Sequence, residues 1–292
     1  MTTPPGTLTP MVDDDDPGPI VQRLILGAEL AELRDAKGLT VDQANSEIGW
    51  YRGKLGKIEN GDLNVTDAEL SRMFKLYGAT GPKTDEVRKL ATEARRKLGP
   101  VRVPDHARKY VWLERSANEI WEYYGGAVPG NLQTEAYAMA QMCTSLVIAP
   151  ADMHSIAHGR RVRGDRFFAD KDLQLSVVLG EAAVRQQVGG KGVLSDQLER
   201  LLAMSELPNV SIQVVPLTAD AHAALEYPFT LLYIARARAT IAYIEGLTTA
   251  DYLARPPHVQ TYTLVWQSAS RAALSTADTA DLLREIKSEL EE

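Results

Sequence analysis

Cysteine, histidine, phenylalanine and long apolar runs are all in short supply in this chain of 292 residues. A single cysteine, Cys143, excludes an internal disulfide and fits a reducing compartment. Its neighbours are apolar, so it reads as a buried, inert packing residue. No apolar run approaches the roughly 20 residues of a membrane-spanning helix, and the N-terminus lacks the charged-then-apolar order of a secretion signal. The expected compartment is therefore the cytoplasm, without membrane contact. Of the five histidines, only His154 and His158 stand at a spacing that seats one metal from a helix. Ser155 breaks the HExxH pattern, and a solvated helix face is the plainer reading. The run Gly189 to Gly192 has Arg185 where a phosphate loop needs its first Gly, and Gly192 where it needs Ser or Thr. It reads as a turn. No metal, cofactor or catalytic set is expected.

Positive charge is also scarce: 32 Lys and Arg face 39 Asp and Glu, a net charge of −7. The deficit is uneven. Residues 1–19 hold the run Asp13 to Asp16 and no cation, and they are Thr- and Pro-rich, which argues for a disordered acidic tail. Residues 20–100 hold 14 Lys and Arg against 12 Asp and Glu, and residues 101–292 hold 18 against 23. Only the segment after the tail is positive, so a polyanion would meet a local footprint rather than a basic protein.

That segment contains LTVDQANSEIGWYRGKLGKIENG, Leu39 to Gly61. Thr40 followed three residues later by Gln43 is a capping box for a helix over Val41–Ile48. Gly49 breaks it, and a second short helix is expected from Arg52 to Asn60, ending at Gly61. Leu55 and Ile58 face inward on that helix, leaving Arg52, Lys54 and Lys57 outside. A short cationic helix propped on another across a tight turn is the geometry that enters a DNA major groove. Further helices are expected over Val21–Lys37 with Leu26, Leu30 and Leu33 inward, from Thr66 with Glu69 closing a second capping box, and over Thr84–Leu98.

The stretch GAELAELRDAKGLTVDQANSEIG…KIENG resembles the Xre-type helix-turn-helix of phage repressors and bacterial regulators. The resemblance implies a lambda-repressor-like five-helix domain over residues 20–99 that binds double-stranded DNA. It puts Arg52, Gly53 and Lys57 at base-reading positions, with Tyr51 against sugar or a thymine methyl, and Asn60 and the start of the Gln43 helix on phosphate. Two positions depart from the family: Tyr51 where a capping Ser or Thr is usual, and Asn45 where a small Ala is usual.

After a linker at 100–104, residues 105–292 mix helices with β-type runs, giving an α+β domain. Helices are expected over Tyr110–Tyr124, Thr134–Leu146, Met153–Phe168 and Leu194–Ser205, with two more closing the chain, the last capped by Ser275. Strands are expected at 173–179, 210–217, 229–234 and 240–245, the last two as a hairpin. The ordered segments WLERSANEIWEYYGGAVPGNLQTEAYA, RRVRGDRFF, GEAAVRQQVGG, VSIQVVPL and IAYIEG resemble the C-terminal domain of unknown function in actinobacterial Xre-type regulators. That resemblance implies transcriptional regulation and a small partner protein encoded next door, in an antitoxin-like pair. Asn131 and Gly164 depart from it.

Glu181, His222 and Glu245 each follow or end an expected strand, and strand ends gather at one rim of a sheet. They form either a satisfied hydrogen-bond network, a ligand pocket or a poised base. The expectation is a multi-domain, non-enzymatic DNA-binding regulator, acting as a homodimer on half-sites one DNA turn apart. Its second domain takes a small protein or an effector. The rivals are an antitoxin-like interaction protein and a regulator with a hydrolase-type second domain.

Overall fold

Both expected capping boxes form, and they set the frame of the N-terminal helices. In the computed structural model, which describes residues 18–97 and 107–292, the chain divides into two units, Met1–Leu98 and Gly99–Glu292. The acidic run and the linker at 100–104 lie outside the described residues.

Among the described residues the first unit has five helices: α1 Gly18–Ala36, α2 Val41–Ile48, α3 Lys54–Glu59, α4 Asp67–Tyr77 and α5 Pro82–Ala94. Gly18 and Pro19, assigned to the tail by composition, belong to α1, where both are buried. Thr40 accepts from the Gln43 N–H while the Gln43 side chain accepts from Thr40, and Thr66 and Glu69 repeat the arrangement at α4. The expected fifth helix starts two residues early because Pro82 suits a first turn, having no N–H to leave unpaired. Leu26, Leu30, Ala44, Leu55, Ile58, Leu70, Met73 and Val87 close one core. Complete burial of a Leu or Ile side chain contributes about 1.5–3 kcal/mol, so this cluster dominates the unit's stability.

The second unit is built on a six-stranded sheet of order β3-β2-β1-β4-β5-β6. Its strands are β1 Glu119–Tyr124, β2 Gln174–Gly180, β3 Val210–Val215, β4 Phe229–Ile234, β5 Ala239–Glu245 and β6 Ala250–Leu253. β1, β2 and β3 run parallel, while β4 pairs antiparallel with both β1 and β5. Its helices are α6 Arg108–Ser116, α7 Glu135–Met142, α8 Pro150–Ala169, α9 Glu181–Arg185, α10 Lys191–Ser205, α11 Pro256–Ala272 and α12 Thr276–Glu291.

The largest correction to the sequence reading is here. The expected helix over Tyr110–Tyr124 stops at Ser116, and EIWEYY forms the strand between β2 and β4. Two-sided burial in a central strand outweighs the helical spacing of the preceding turn, and Ile, Trp and Tyr suit a pleated surface. Asn118 fixes the switch: its N–H donates to Tyr233 O at 2.9 Å, and its Oδ1 accepts from Ala235 N at 2.9 Å. Residues of β1 then alternate. Trp121 and Tyr123 pack in the cluster formed with α11, where Trp121 meets Trp266 at 4.7 Å between ring centroids. Glu122 and Tyr124 face the opposite side, which α6 and α8 cover.

Cys143 also departs from expectation. It sits one residue beyond α7 and is exposed, because Ala138 and Met142 take the inward positions of that helix. At Gly164 in α8, a Cβ would stand 1.9 Å from Asn131 O, so that helix lies directly on the backbone of the loop after β1.

Candidate functional site

The turn between α2 and α3 is held from an unexpected place. α3 begins at Lys54, two residues later than the sequence suggested, because Gly53 is left-handed at φ 86° and supplies no capping side chain. Tyr51 also makes no cap. Asn45, in α2 and 4% exposed, does the work instead: its Nδ2 donates to Tyr51 O at 2.7 Å and its Oδ1 accepts from Leu55 N at 3.1 Å. One amide therefore satisfies an orphan donor at the start of α3 and the carbonyl of the turn before it. Asn45 thus supplies the cap for α3 that Tyr51 and Gly53 do not.

This arrangement leaves Tyr51, Arg52, Gly53 and Lys57 exposed. Tyr51 is 60% exposed, too wet to staple α3 to α2. Among the described residues the side chains of Arg52, Lys57 and Asn60 make no hydrogen bond or ion pair, and Asn60 closes α3 as its C-cap. Lys54 is different, and the expectation that it lies free outside is corrected. Its ammonium pairs with Glu69 and lies 4.6 Å from the centroid of the Trp50 ring, with the side chain 17% exposed. Burial pushes the Glu69 carboxyl up, but its bonds to Lys54 and Thr66 hold it below the usual range. Gln43 keeps its side-chain oxygen on Thr40, at 2.9 Å from N and 3.0 Å from Oγ1, leaving its amide NH₂ as a donor.

Behind the turn, Arg34 of α1 clamps Glu59 of α3 with Nε at 2.7 Å and NH2 at 3.0 Å, while NH1 donates to Leu39 O at 2.7 Å. The two side chains are 9% and 8% exposed. This bidentate pair explains the Glu of Ile-Glu-Asn-Gly: it locks the presented helix to the scaffold, and Glu59 raises the Arg34 pKa. Arg95 is likewise occupied, donating to Val65 O at 2.9 Å and Asp67 Oδ1 at 3.1 Å. The presented cations reduce to Arg52 and Lys57, with neutral donors from Gln43, Asn60 and Tyr51 around them. Together α2, the turn and α3 have the geometry of a helix-turn-helix, with these side chains on its outer face.

In the second unit, β1, β2, β3 and β5 run in the same direction, so Glu181, His222 and Glu245 do share one rim. They do not share one site. Glu181 and His222 line a cleft of about 730 Å³, and Glu245 lines a separate cavity of about 360 Å³. Glu181 bonds Arg185 and accepts from Leu217 N at 2.8 Å; burial pushes its carboxyl up, but these bonds bring it below the usual range. His222 Nδ1 faces Ala224 N at 3.3 Å and Nε2 faces Tyr123 Oη at 3.5 Å, with burial lowering its pKa. His158 pairs with Glu135 at 2.9 Å, and among the described residues no group of three or more His, Cys, Asp or Glu is placed to hold a metal.

The smaller cavity contains the residue that the sequence reading missed. Glu122 is 1% exposed, accepts from Asn131 Nδ2 at 3.1 Å and from the Thr230 hydroxyl, and lies beside Glu114. Burial first, and Glu114 second, push its carboxyl up to about 8. Assigning 119–124 to a helix concealed it. Read as a strand, a Glu alternating with Ile120 and Tyr124 on a buried face would have been conspicuous.

Residues 25–87 match the family described as Helix-turn-helix domain. Residues 107–285, more than half of the chain, match the Domain of unknown function (DUF5753), and the protein belongs to that family. No curated protein and no solved structure matches the chain. The protein is thus a helix-turn-helix DNA-binding regulator carrying an α+β second unit of that family.

Proposed function

We propose that the protein is a sequence-specific transcriptional regulator of the Xre type, of actinobacterial kind, that binds DNA as a homodimer. The carrying observation is the presented set Tyr51, Arg52, Gly53, Lys57 and Asn60, displayed by a turn locked through Asn45 and Glu59 and with no side-chain partner among the described residues. Arg52 grips guanine O6 and N7 in the major groove, and Lys57 extends the contact along it. Gln43, Asn60 and the free N–H groups at the start of α2 hold phosphate and set the register. One such helix covers only a few base pairs, so two copies on half-sites a DNA turn apart supply the specificity.

In this reading residues 20–99 are the DNA-binding domain, and residues 105–292 bind a small protein encoded by the neighbouring gene, or an effector. An antitoxin-like pair with autoregulation is the second reading, resting on the ordered segments of the second unit. Genome-wide mapping of bound sites tests the first: the expected result is a near-palindromic motif, and a single asymmetric half-site occupied by a monomer at saturation refutes it. Co-purification with the neighbouring small protein tests the second, with residues 105–292 expected to retain it and retention by residues 1–104 alone contradicting it.

A further inference from the structure

The 360 Å³ cavity between β1, α6, α7 and α8 has an unusual balance of polar groups, and it is at the small end of ligand-site volumes. Its walls are mostly apolar, from Val128, Met142, Ile148 and Ile156, with the rings of Tyr110 and Tyr243 stacked at 4.3 Å. Its cations are occupied. Arg163 pairs with Glu114, and Arg160 donates to Gln133 Oε1 at 2.8 Å and Gln141 Oε1 at 2.9 Å. Two of its acceptors are not fully so. Asn131 Oδ1 has no hydrogen-bond partner among the described residues, and Glu122 has only Asn131 Nδ2 and the Thr230 hydroxyl for its two oxygens, although both side chains are at least nine-tenths buried. A buried acceptor without a donor is costly and needs an account. With Glu122 ionised, its carboxylate and Asn131 Oδ1 on one wall, beside aromatic faces, suit a visitor that brings donors.

We infer that this cavity binds a small organic cation, an ammonium or amidinium on an apolar or aromatic body, with Glu122 and Asn131 receiving its N–H groups. The inference rests on reading the second unit as effector-binding, and binding itself is measurable without DNA. The titratable groups facing Glu122 are Glu114 and Tyr110 from α6, Arg163 and Arg160 from α8, Tyr124 on its own strand, and Tyr243 and Glu245 from β5. With its carboxyl raised to about 8, Glu122 is largely protonated at neutral pH, so a bound cation ionises it and releases that proton to solvent.

The test is calorimetric titration of the full chain with phenethylamine, tyramine and 4-phenylbutylamine, against phenethyl alcohol and phenylacetate, in buffers of different ionisation heat. At least one amine is expected to bind saturably up to millimolar concentration, about tenfold or more tighter than the alcohol and the acid. Proton release should approach one per amine at pH 7. Glu122→Gln keeps the side-chain volume and the acceptor for Asn131; it should abolish proton release and weaken the amine about tenfold. Val147→Trp, at a half-exposed position lining the cavity, should block binding without touching the buried carboxyl. No saturable amine binding, equal binding of alcohol and amine, or full retention by Glu122→Gln overturns the inference. Operator affinity measured with and without the amine reads the regulatory assignment separately: unchanged affinity removes the effector role while leaving the binding site.

Discussion

Replacing Asn45 by Ala removes two hydrogen bonds that no neighbour can restore. Leu55 N would lose its partner, in a fully buried position at the start of a six-residue helix, while Tyr51 O would keep the longer bond from Lys54 N at 3.2 Å. A buried backbone group left unpaired costs about 1–3 kcal/mol, and most of the loss falls on Leu55 N. Asn45→Asp keeps the acceptor for Leu55 N but buries a carboxylate and sets its second oxygen against Tyr51 O, so it should cost at least as much as Asn45→Ala. Hydrogen exchange across residues 39–61 in the full chain is the assay. Asn45→Ala should strip protection from the Leu55 amide and leave α10 and the sheet unchanged, because those belong to the other unit. Operator affinity should fall too, since the turn that positions Arg52 is no longer fixed. Unchanged Leu55 protection together with wild-type stability would refute this account of how α3 is held.

Two further outcomes follow from buried carboxylates. Glu59→Ala leaves Arg34 with Asp35 and Leu39 O but without its bidentate partner and should destabilise the first unit by about 1.5–3 kcal/mol, read from its denaturation midpoint. Glu122 binds its proton more tightly folded than unfolded, so its contribution to stability is full below about pH 4.5 and is lost as pH rises to about 8. The difference between wild type and Glu122→Gln should therefore move against wild type by about 4–5 kcal/mol across that window, measured as denaturation midpoints at stepped pH. A flat difference would show that Glu122 is not held protonated.

The parts of the fold legible in the sequence were those set by local chemistry. Thr40 with Gln43, Thr66 with Glu69 and Ser275 with Asp278 name helix starts within one residue, because a cap is a contact between neighbours in the chain. The hairpin of β4 and β5 was legible for the same reason. What escaped was set by distant partners. β1 is a strand because β2 and β4 flank it, and nothing in EIWEYY announces them. Lys54 reads as a free cation until Glu69, fifteen residues on, folds back over it. Glu181, His222 and Glu245 were placed on the correct rim by strand order, but the loops that divide that rim into two cavities have no periodic signature. The Asn45 and Tyr51 departures looked independent, and only the turn geometry joins them.

The central claim is that α3 and its preceding turn read DNA sequence through Arg52, with Lys57 farther along the groove. The decisive measurement is the affinity of wild type, Arg52→Ala and Lys57→Ala for operator and random DNA across a salt series. If Arg52 grips a guanine, its loss costs about 1–3 kcal/mol on the operator and much less on random DNA. A phosphate contact instead weakens both DNAs alike and lowers the salt slope by about one. Equal losses on operator and random DNA for both variants would contradict the claim that this helix reads sequence.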